Sequence, residues 1–362
     1  FALDIPAYYT KLNELKETYK NQIHIHFGIE IGLQLHLKQY FHNLLKEYPF
    51  DFVIGSSHVV HGADPYYPEF FQDRDEEKAY LEYFESILEN LDAFHEMDTY
   101  GHLDYIVRYG PNKNQFYSYE KYRWYREWEK KLVNHSGLNV ISSKGYLSFL
   151  PSGEYISVHN DNPIEPSLIE LSRRNFSTRK RPIVISNIGL IRFHQQNRKL
   201  ILAFRNDPRF QLRFIGKGAD ELADFCREQK VENVQLTGYF VPEKSVEYFM
   251  QSDVISNLYG NHIPLLDYAL SNKLYYAAKL CKPILVCPDT YMQKASVGFG
   301  YTMDLDSQHV ADNFYSYYTA IDKEKLQRAC DDFLVEVFRE NAIFDQKVTN
   351  FLNSDEFTSE LV

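Results

Sequence analysis

The stretch 182–204, PIVISNIGLIRFHQQNRKLILAF, decides the fold expected for the back half of the chain. Its first part, Ile183–Asn187, is a short apolar run rich in β-branched residues, which is typical of a buried strand. Gly189 then interrupts the run, and the segment that follows has helical spacing. A strand, a glycine turn and a helix in this order form the unit from which parallel α/β sheets are built.

The same unit recurs on both sides of this stretch. Upstream, the pattern predicts helix 5–20, strand 23–31, helix 35–47, strand 52–56, helix 75–91, a strand near 100–103, a helix at about 119–133 and strands 138–142 and 155–159. Downstream, it predicts strands 183–187, 212–215, 234–237, 254–256 and 284–287, with helices between them. It also predicts helix over 323–352, as one helix or as two with a break between them. Strands that alternate with helices predict the α/β class throughout.

The composition excludes several classes of protein. The net charge of −11 argues against a nucleic-acid binder, which needs a surplus of Lys and Arg. No apolar run approaches the length of a membrane span, and residues 1–20 lack the basic and apolar regions of a signal peptide. The four cysteines have no C-x-x-C spacing, so neither a zinc ribbon nor a disulfide framework is indicated. We therefore expect a soluble, cytoplasmic protein.

Charge divides the chain into parts of different character. Residues 1–122 contain 20 acidic and 10 basic side chains and eight of the 13 histidines, whereas the remainder is close to neutral. The basic, polar segment 173–181 has no apolar period and is typical of a linker. We expect a front domain over 1–122, a connecting part over 123–181 and a second domain over 182–362.

Three short motifs in the front part place a carboxylate or an imidazole where a strand meets a loop: GIEIG (28–32), GSSHVVHG (55–62) and GHLDYIVRYGP (101–111). In α/β barrels, the loops that follow the strands build the site. Carboxylates and imidazoles that converge there suit zinc, manganese or iron.

These motifs, with PFDFVIGSSH (49–58) and DPYYPEFF (64–71), resemble the PHP-type histidinol-phosphatases across residues 1–122. The resemblance implies a partial PHP-type β/α barrel in which Glu30, His58 and His102 are metal ligands. It also implies that Arg108 could hold the phosphate of the substrate. The chemistry of that family is attack of a metal-activated water on a phosphomonoester.

The chain departs from the family pattern at both ends of this part. The family's opening His-x-His strand and its second His-bearing strand would lie before Phe1, and its closing Asp-x-His does not follow the Arg108 segment. His24 and His26 do not replace them, because His26 and Glu30 are about 13 Å apart along a strand. We expect half or more of the metal ligands to be missing and metal binding to be weak.

In the back part, the glycine turns between strands and helices allow backbone N–H groups to approach a phosphate. Gly189 and the sequence Gly216-Lys217-Gly218 supply such turns. Arg192 and Lys199 lie close behind the first turn and could neutralise a diphosphate. Solvated surface charge is the alternative interpretation of each of these cations.

The whole series of segments resembles the C-terminal half of GT-B glycosyltransferases of capsular and exopolysaccharide synthesis. It comprises VISNIGLIRFHQQNRKLILAF (184–204), FQLRFIGKG (210–218), VQLTGYF (234–240), SDVISNLYGN (252–261) and LSNKLYYAAKLCKPILV (270–286). The resemblance implies a Rossmann-like domain with Asn272 and Lys273 at a nucleotide-sugar pocket. Tyr276 stands where the family usually has a ribose-binding Glu, and Cys281 stands where it usually has Gly, so we expect weakened donor binding.

Three functions remain open from the sequence. The first is a glycosyltransferase-like protein that binds a nucleotide sugar, such as a UDP-linked one, without a required cofactor in that part. The second is a metal-dependent phosphoesterase that acts on a phosphomonoester. The third is a fusion or fragment without catalysis. The sequence assigns no catalytic residue, and it leaves open whether the chain is an enzyme.

Overall fold

The computed structural model describes residues 3–112, 127, 129–131, 133–134, 136–179 and 181–352. Its contacts divide the chain into two compact units, which we call the front unit (1–131) and the back unit (132–362). The expected domain boundary at 122, and most of the helix predicted at 119–133, lie outside the described residues. No helix in the described part of the chain is long and apolar enough to cross a bilayer.

The described part of the front unit contains a parallel sheet in the order β1-β2-β3. Its strands are β1 (Gly28–Gly32), β2 (Phe52–Ser56) and β3 (Thr99–Gly101). Its helices are α1 (Ile5–Tyr19), α2 (Lys38–Glu47), α3 (Glu76–Ala93) and α4 (Tyr105–Tyr109), with 3-10 turns at Leu35–Leu37 and Pro68–Phe71. The helix predicted over 75–91 and the strand predicted over 52–56 are confirmed.

The start of the strand predicted over 23–31 was wrong. Among the described residues, the ladder between β1 and β2 begins with Gly28 paired to Phe52, the first residue of β2. Just outside the ladder, the Asp51 carboxylate accepts the N–H of Phe27 at 2.6 Å, and the buried ring of Phe27 stacks on Phe50 at 4.3 Å between centroids. The N–H of Asp51 also donates to the carbonyl oxygen of Phe27 at 2.7 Å, so backbone pairing reaches Phe27, and the residues before it form no strand.

Helix α3 supplies much of the core of the front unit. Tyr80, Tyr83, Phe84 and Ile87 are all buried, and their spacing puts them on one face of the helix. The next position on this face is Asn90, a polar residue that is also buried.

The back unit contains a six-stranded sheet in the order β11-β10-β9-β6-β7-β8, and every pairing in it is parallel. Its strands are β6 (Ile183–Ile188), β7 (Phe210–Ile215), β8 (Val234–Thr237), β9 (Val254–Asn257), β10 (Ile284–Val286) and β11 (Gly300–Thr302). Counted from β6, this is the doubly wound order 3-2-1-4-5-6, whose direction reverses between β6 and β9. Ligands of such sheets bind beyond the strand ends at that reversal.

The helices of the back unit are α5 (Pro166–Asn175), α6 (His194–Ala203), α7 (Ala223–Glu228), α8 (Ser245–Met250), α9 (Pro264–Tyr268), α10 (Asn272–Leu280), α11 (Tyr291–Ala295), α12 (Val310–Thr319) and α13 (Lys323–Leu352). The predicted helix over 323–352 is confirmed as α13. The sequence pattern missed β11, a strand of three residues that begins with glycine.

Two short strands, β4 (Val140–Ile141) and β5 (Ile156–Ser157), precede this sheet and belong to the same unit. Just after β5, His159 lies with Nε2 2.8 Å from Glu340 Oε2 on α13 and Nδ1 2.9 Å from the hydroxyl of Tyr275 on α10. Lys144 pairs with the same carboxylate of Glu340. These largely buried contacts attach the segment before the sheet to the two helices.

The turns after β6 and β7 touch each other. Gly189 and Gly216 both have positive φ values, 113° and 137°. A Cβ atom on Gly216 would overlap the carbonyl oxygen of Gly189, so this close approach of two backbones requires glycine.

We predict that Gly216→Ala lowers the free energy of unfolding of the back unit by about 1–3 kcal/mol, because the backbone conformation is strained for an L-residue and the turns must separate. Gly238→Ala is the matched control, since a Cβ there meets no atom within 4 Å. Urea denaturation followed by circular dichroism measures both variants. Equal stability of the two would show that the contact between the turns is not required.

Candidate functional site

The first candidate site lies at the strand ends of the front unit. Glu30 is on β1, His58 lies two residues beyond the end of β2, and His102 follows β3 directly. Glu30 Oε1 is 3.5 Å from Nε2 of His58 and 3.5 Å from Nε2 of His102. One ligand atom from each of the three residues lies within 4.8 Å of the others. The fold therefore brings together three residues, the first and last of which are 72 positions apart in the sequence.

The spacing of these atoms fits a single metal ion. Zinc binds histidine nitrogen at about 2.0–2.1 Å and carboxylate oxygen at about 2.0–2.2 Å. Two such ligands on a tetrahedral ion are about 3.4 Å apart, close to both separations that involve Glu30. Three protein ligands with a fourth position open is the arrangement found in catalytic zinc sites.

The electrostatics favour neutral imidazole at His58. Burial has the largest effect and lowers the pKa of His58. Glu30 has the next largest effect and raises the pKa, His102 and Arg108 lower it further, and Asp64 raises it. The net shift is downward from 6.5, so the ring is neutral at pH 7 and one ring nitrogen has a lone pair for a metal.

Polar and aromatic groups surround the three residues. The ring of Tyr105 lies 4.6 Å from that of His58, and its hydroxyl donates to Asp64 Oδ1 at 3.0 Å. Arg108 is half exposed and forms an ion pair with Asp104 at 3.1 Å. Arg108 thus lies near enough to influence His58, with its guanidinium open to solvent.

A buried hydrogen-bond network that sequence reasoning missed lies beside this site. Asn90 donates to the carbonyl oxygen of Leu33 and to the hydroxyl of Ser57, and the hydroxyls of Ser57 and Tyr100 bond to each other. Burial raises the pKa of Tyr100 to about 12 despite these hydrogen bonds, so the phenol stays protonated. One signal was present in the sequence, namely a polar residue on the core-facing stripe of α3.

The second candidate site is a cavity of about 820 Å³ in the back unit. Its walls include residues that follow β6, such as Gly189 and Arg192, and residues that follow β9, such as Tyr259 and Gly260. It therefore lies at the reversal of strand order, where doubly wound sheets bind ligands. The wall also contains aromatic and polar side chains, among them Phe193, Phe240, Glu243, Phe249, Asn257 and Tyr276.

Lys273 lies in this wall, almost fully buried. Its Nζ donates to Asn187 Oδ1 and to the carbonyl oxygen of Ser256, and it lies 4.8 Å from the ring centre of Tyr259. Burial raises the pKa of Tyr259, but the charge of Lys273 and its hydrogen bond, with smaller effects of Ser271 and Arg192, give a net lowering. A positive charge is thus held at the cavity by neutral oxygens.

Three asparagines lie in the wall of the cavity or beside it. Asn187 donates to Asn197 Oδ1 at 3.1 Å, and Asn197 donates to the carbonyl oxygen of Arg192 at 2.6 Å, which fixes the loop after β6. Asn257 is 5% exposed, and its Oδ1 has no hydrogen-bond partner among the described residues. A buried amide oxygen without a partner is costly, so its position in the wall of a cavity points to a ligand that donates to it.

The residues predicted for donor binding do not all lie here. Gly189, Arg192, Asn272 and Lys273 line the cavity. Lys199 lies elsewhere, with Nζ 2.6 Å from both carboxylate oxygens of Asp306. It follows the inward-facing Asn197 by two residues, about 200° around α6, and so points away from the cavity.

Gly216 and Lys217 also lie outside the cavity wall. Gly216 packs against Gly189, as described above, so the space beside it is filled by backbone instead of being open to a ligand. Lys217 is exposed. The turn after β7 therefore contributes to the site by supporting the turn after β6.

The two departures from the glycosyltransferase pattern have clear structural settings. Tyr276 lines the cavity and stacks on Phe249, with ring centroids 4.2 Å apart. Cys281 ends α10 in the left-handed conformation, with φ of 53°. Glycine adopts this conformation at least cost, which accounts for its usual presence there.

Comparisons with known proteins match the front part of the chain to a known family. The family model of the PHP domain matches residues 2–141. The histidinol-phosphatase of Lactococcus lactis is 36% identical over 112 residues, which are 31% of this chain and 42% of that protein. A probable histidinol-phosphatase of Clostridium acetobutylicum is 28% identical over 125 residues, 34% of this chain and 47% of that protein. The chain thus spans less than half the length of these curated relatives.

Two solved structures extend the comparison. The Anabaena protein HepE, solved with UDP and glucose, is 12% identical over 93% of this chain and 89% of its own, with a TM-score of 0.51. The L. lactis histidinol phosphate phosphatase, solved with zinc, L-histidinol and phosphate, is 32% identical over 37% of this chain and 51% of its own, with a TM-score of 0.34.

These findings confirm the predicted fold class. The chain carries a PHP-type domain at its N-terminus with histidinol-phosphatase homologues. Its structural neighbours include GT-B glycosyltransferases, and at 12% identity this likeness shows the fold alone.

Proposed function

We propose that the back unit binds a nucleotide-sugar donor, of the UDP-linked class, as a glycosyltransferase-like domain of surface polysaccharide synthesis. The observation that carries this proposal is the cavity at the β6/β9 reversal, with Arg192 and Lys273 in its wall. Its size is within the range of about 300–1,000 Å³ typical of small-molecule sites.

The charge in this cavity supports an anionic ligand. No described hydrogen-bond partner of the Lys273 ammonium is a carboxylate, so its positive charge is not neutralised by a neighbour. Arg192 is exposed on the loop that the Asn187–Asn197 pair fixes. Two cations beside the end of β6 match the two negative charges of a diphosphate.

The unpartnered Oδ1 of Asn257 supports a ligand that also donates hydrogen bonds. Sugar and ribose hydroxyls and the N–H of a uracil ring are such donors. HepE, which has the same type of fold, was solved with UDP and glucose, and we propose the same class of ligand here.

We predict that Arg192→Ala weakens UDP binding roughly 10- to 150-fold, because a hydrogen bond to a charged group contributes about 1.5–3 kcal/mol. Lys199→Ala is the matched control, since Lys199 pairs with Asp306 outside the cavity. Isothermal titration calorimetry with UDP measures both. The phosphate assignment fails if Arg192→Ala binds UDP as tightly as the parent.

We also predict that Tyr276→Glu strengthens UDP binding, because a carboxylate in this wall could accept hydrogen bonds from the ribose hydroxyls. Tyr276→Gln, which has the same length without the charge, is the control. The same calorimetric titration compares them. No gain from the glutamate over the glutamine would refute the ribose argument.

A second function is favoured by the geometry of the front unit. We propose that Glu30, His58 and His102 hold one divalent ion, zinc, manganese or iron, and that the substrate is a phosphomonoester. The 3.5 Å separations of the ligand atoms support a single ion. When bound, such an ion activates water for attack on phosphorus. Arg108, near His58 and open to solvent, would bind the phosphate oxygens.

We predict that the chain takes up one equivalent of zinc when zinc is in excess and retains well under one after exhaustive dialysis. Loose binding is expected because the three side chains are 32–39% exposed, so water competes with them for the ion. Atomic absorption measures the stoichiometry, and a variant with both His58→Ala and His102→Ala gives the background. Two or more ions that survive dialysis would show that further ligands exist.

A cytoplasmic location is part of the same proposal. All four cysteines are free and buried, as is usual for proteins of a reducing compartment.

A parent chain that binds neither UDP nor zinc would favour the third function, a chain without catalysis.

A further inference from the structure

Asn90 lies at the centre of the buried network in the front unit. Its side chain is 4% exposed, and Nδ2 donates to Ser57 Oγ at 2.6 Å and to the carbonyl oxygen of Leu33 at 3.3 Å. Ser57, which is fully buried, bonds through its hydroxyl to the hydroxyl of Tyr100. One amide thus joins groups from β3 and from the loops after β1 and β2.

Each group in this network lies close in sequence to a different member of the Glu30, His58 and His102 cluster. Leu33 follows Glu30 by three residues, Ser57 immediately precedes His58, and Tyr100 precedes His102 by two. Other contacts also hold these segments: Glu30 lies in the β1–β2 ladder, the hydroxyl of Tyr83 donates to the carbonyl oxygen of His102 at 2.9 Å, and the N–H of Leu33 donates to the carbonyl oxygen of Ser56 at 2.7 Å. Asn90 adds a side-chain connection between α3 and the segments of Leu33 and Ser57, which none of these contacts makes. The network therefore ties together the backbone segments that carry the ligands.

The polar character of Asn90 needs a reason. The preceding core positions of α3 are Tyr80, Tyr83, Phe84 and Ile87, and burial of an amide is costly unless it is hydrogen-bonded. An apolar side chain would continue the stripe and stabilise the core without this requirement. The amide is used instead to satisfy a carbonyl and a hydroxyl on segments next to the ligands.

We propose that Asn90 is a positioning residue for the metal site, which acts through Ser57 and Tyr100 to hold the three ligands at the spacing of one ion. The inference rests on the metal site proposed above. A metal site requires its ligands to be held within about 0.5 Å of their productive positions. Loops that are joined by a buried network meet this requirement better than loops that move independently.

The test is zinc affinity of the full chain, measured by competition with a chromogenic chelator. We expect Asn90→Ala and Tyr100→Phe each to weaken zinc binding about 10- to 100-fold, the usual effect of losing a group that supports a ligand. Tyr80→Phe is the matched control, because it removes a hydroxyl from a buried tyrosine whose partner is Glu76, away from the ligand segments. The variant with both His58→Ala and His102→Ala sets the background.

Thermal unfolding of the metal-free proteins separates positioning from stability. If Asn90 acts by positioning, Tyr100→Phe loses zinc affinity and Tyr80→Phe does not. The two variants should have similar melting temperatures. If Asn90→Ala does not fold, Tyr100→Phe decides, because it removes a single oxygen atom.

Two results would overturn the inference, and they differ. If Tyr100→Phe and a folded Asn90→Ala bind zinc as tightly as the parent, positioning by Asn90 is wrong while the metal site stands. If the parent binds zinc no better than the double histidine variant, the metal site is absent, and the inference falls with it.

Discussion

Parallel strand pairing is the constraint on which both candidate sites depend. Consecutive strands of a parallel sheet end at the same edge, so the loops after them lie side by side however far apart they are in sequence. In the front unit, this constraint brings His58 and His102 to Glu30. In the back unit, it brings the loop after β6 beside the loop after β9, and the reversal of strand order leaves a cavity between them.

Neutral side-chain amides hold the backbone segments that carry both sites. Asn90 joins the segments that carry the three front residues, and Asn187 with Asn197 fixes the loop that carries Arg192. An amide can donate and accept in a buried place without the large desolvation cost of a charge. Lys273 is the exception, since its ammonium is buried on neutral oxygens, and it is the group from which the affinity for an anion is inferred.

Local pattern predicted most of the regular elements, and its errors have physical causes. Strand 234–237 and helix 323–352 were predicted with their observed bounds, because alternation in the strand and a long helical period in the helix each favour one structure. The alternation of 23–27 is equally regular, yet these residues form no strand, since the ladder with β2 begins at Gly28 and a single backbone hydrogen bond, from Asp51 to Phe27, extends it. In contrast, Gly300–Thr302 becomes a strand because β10 lies beside it.

The sequence by itself determined the α/β class, the two different parts and the residue types that could bind a metal or a phosphate. It placed Glu30, His58 and His102 at strand ends and Arg192 behind a glycine turn, because these relations are local, whereas Lys273 was placed at the pocket by the family resemblance. Only the tertiary structure decided that Lys199 pairs with Asp306, that Gly216 packs against Gly189, that Asn90 bonds to Ser57, and that Asn257 Oδ1 is buried without a hydrogen-bond partner among the described residues. The direction and the partners of a side chain depend on the rotation of its helix and on neighbouring strands, which packing fixes and local pattern does not.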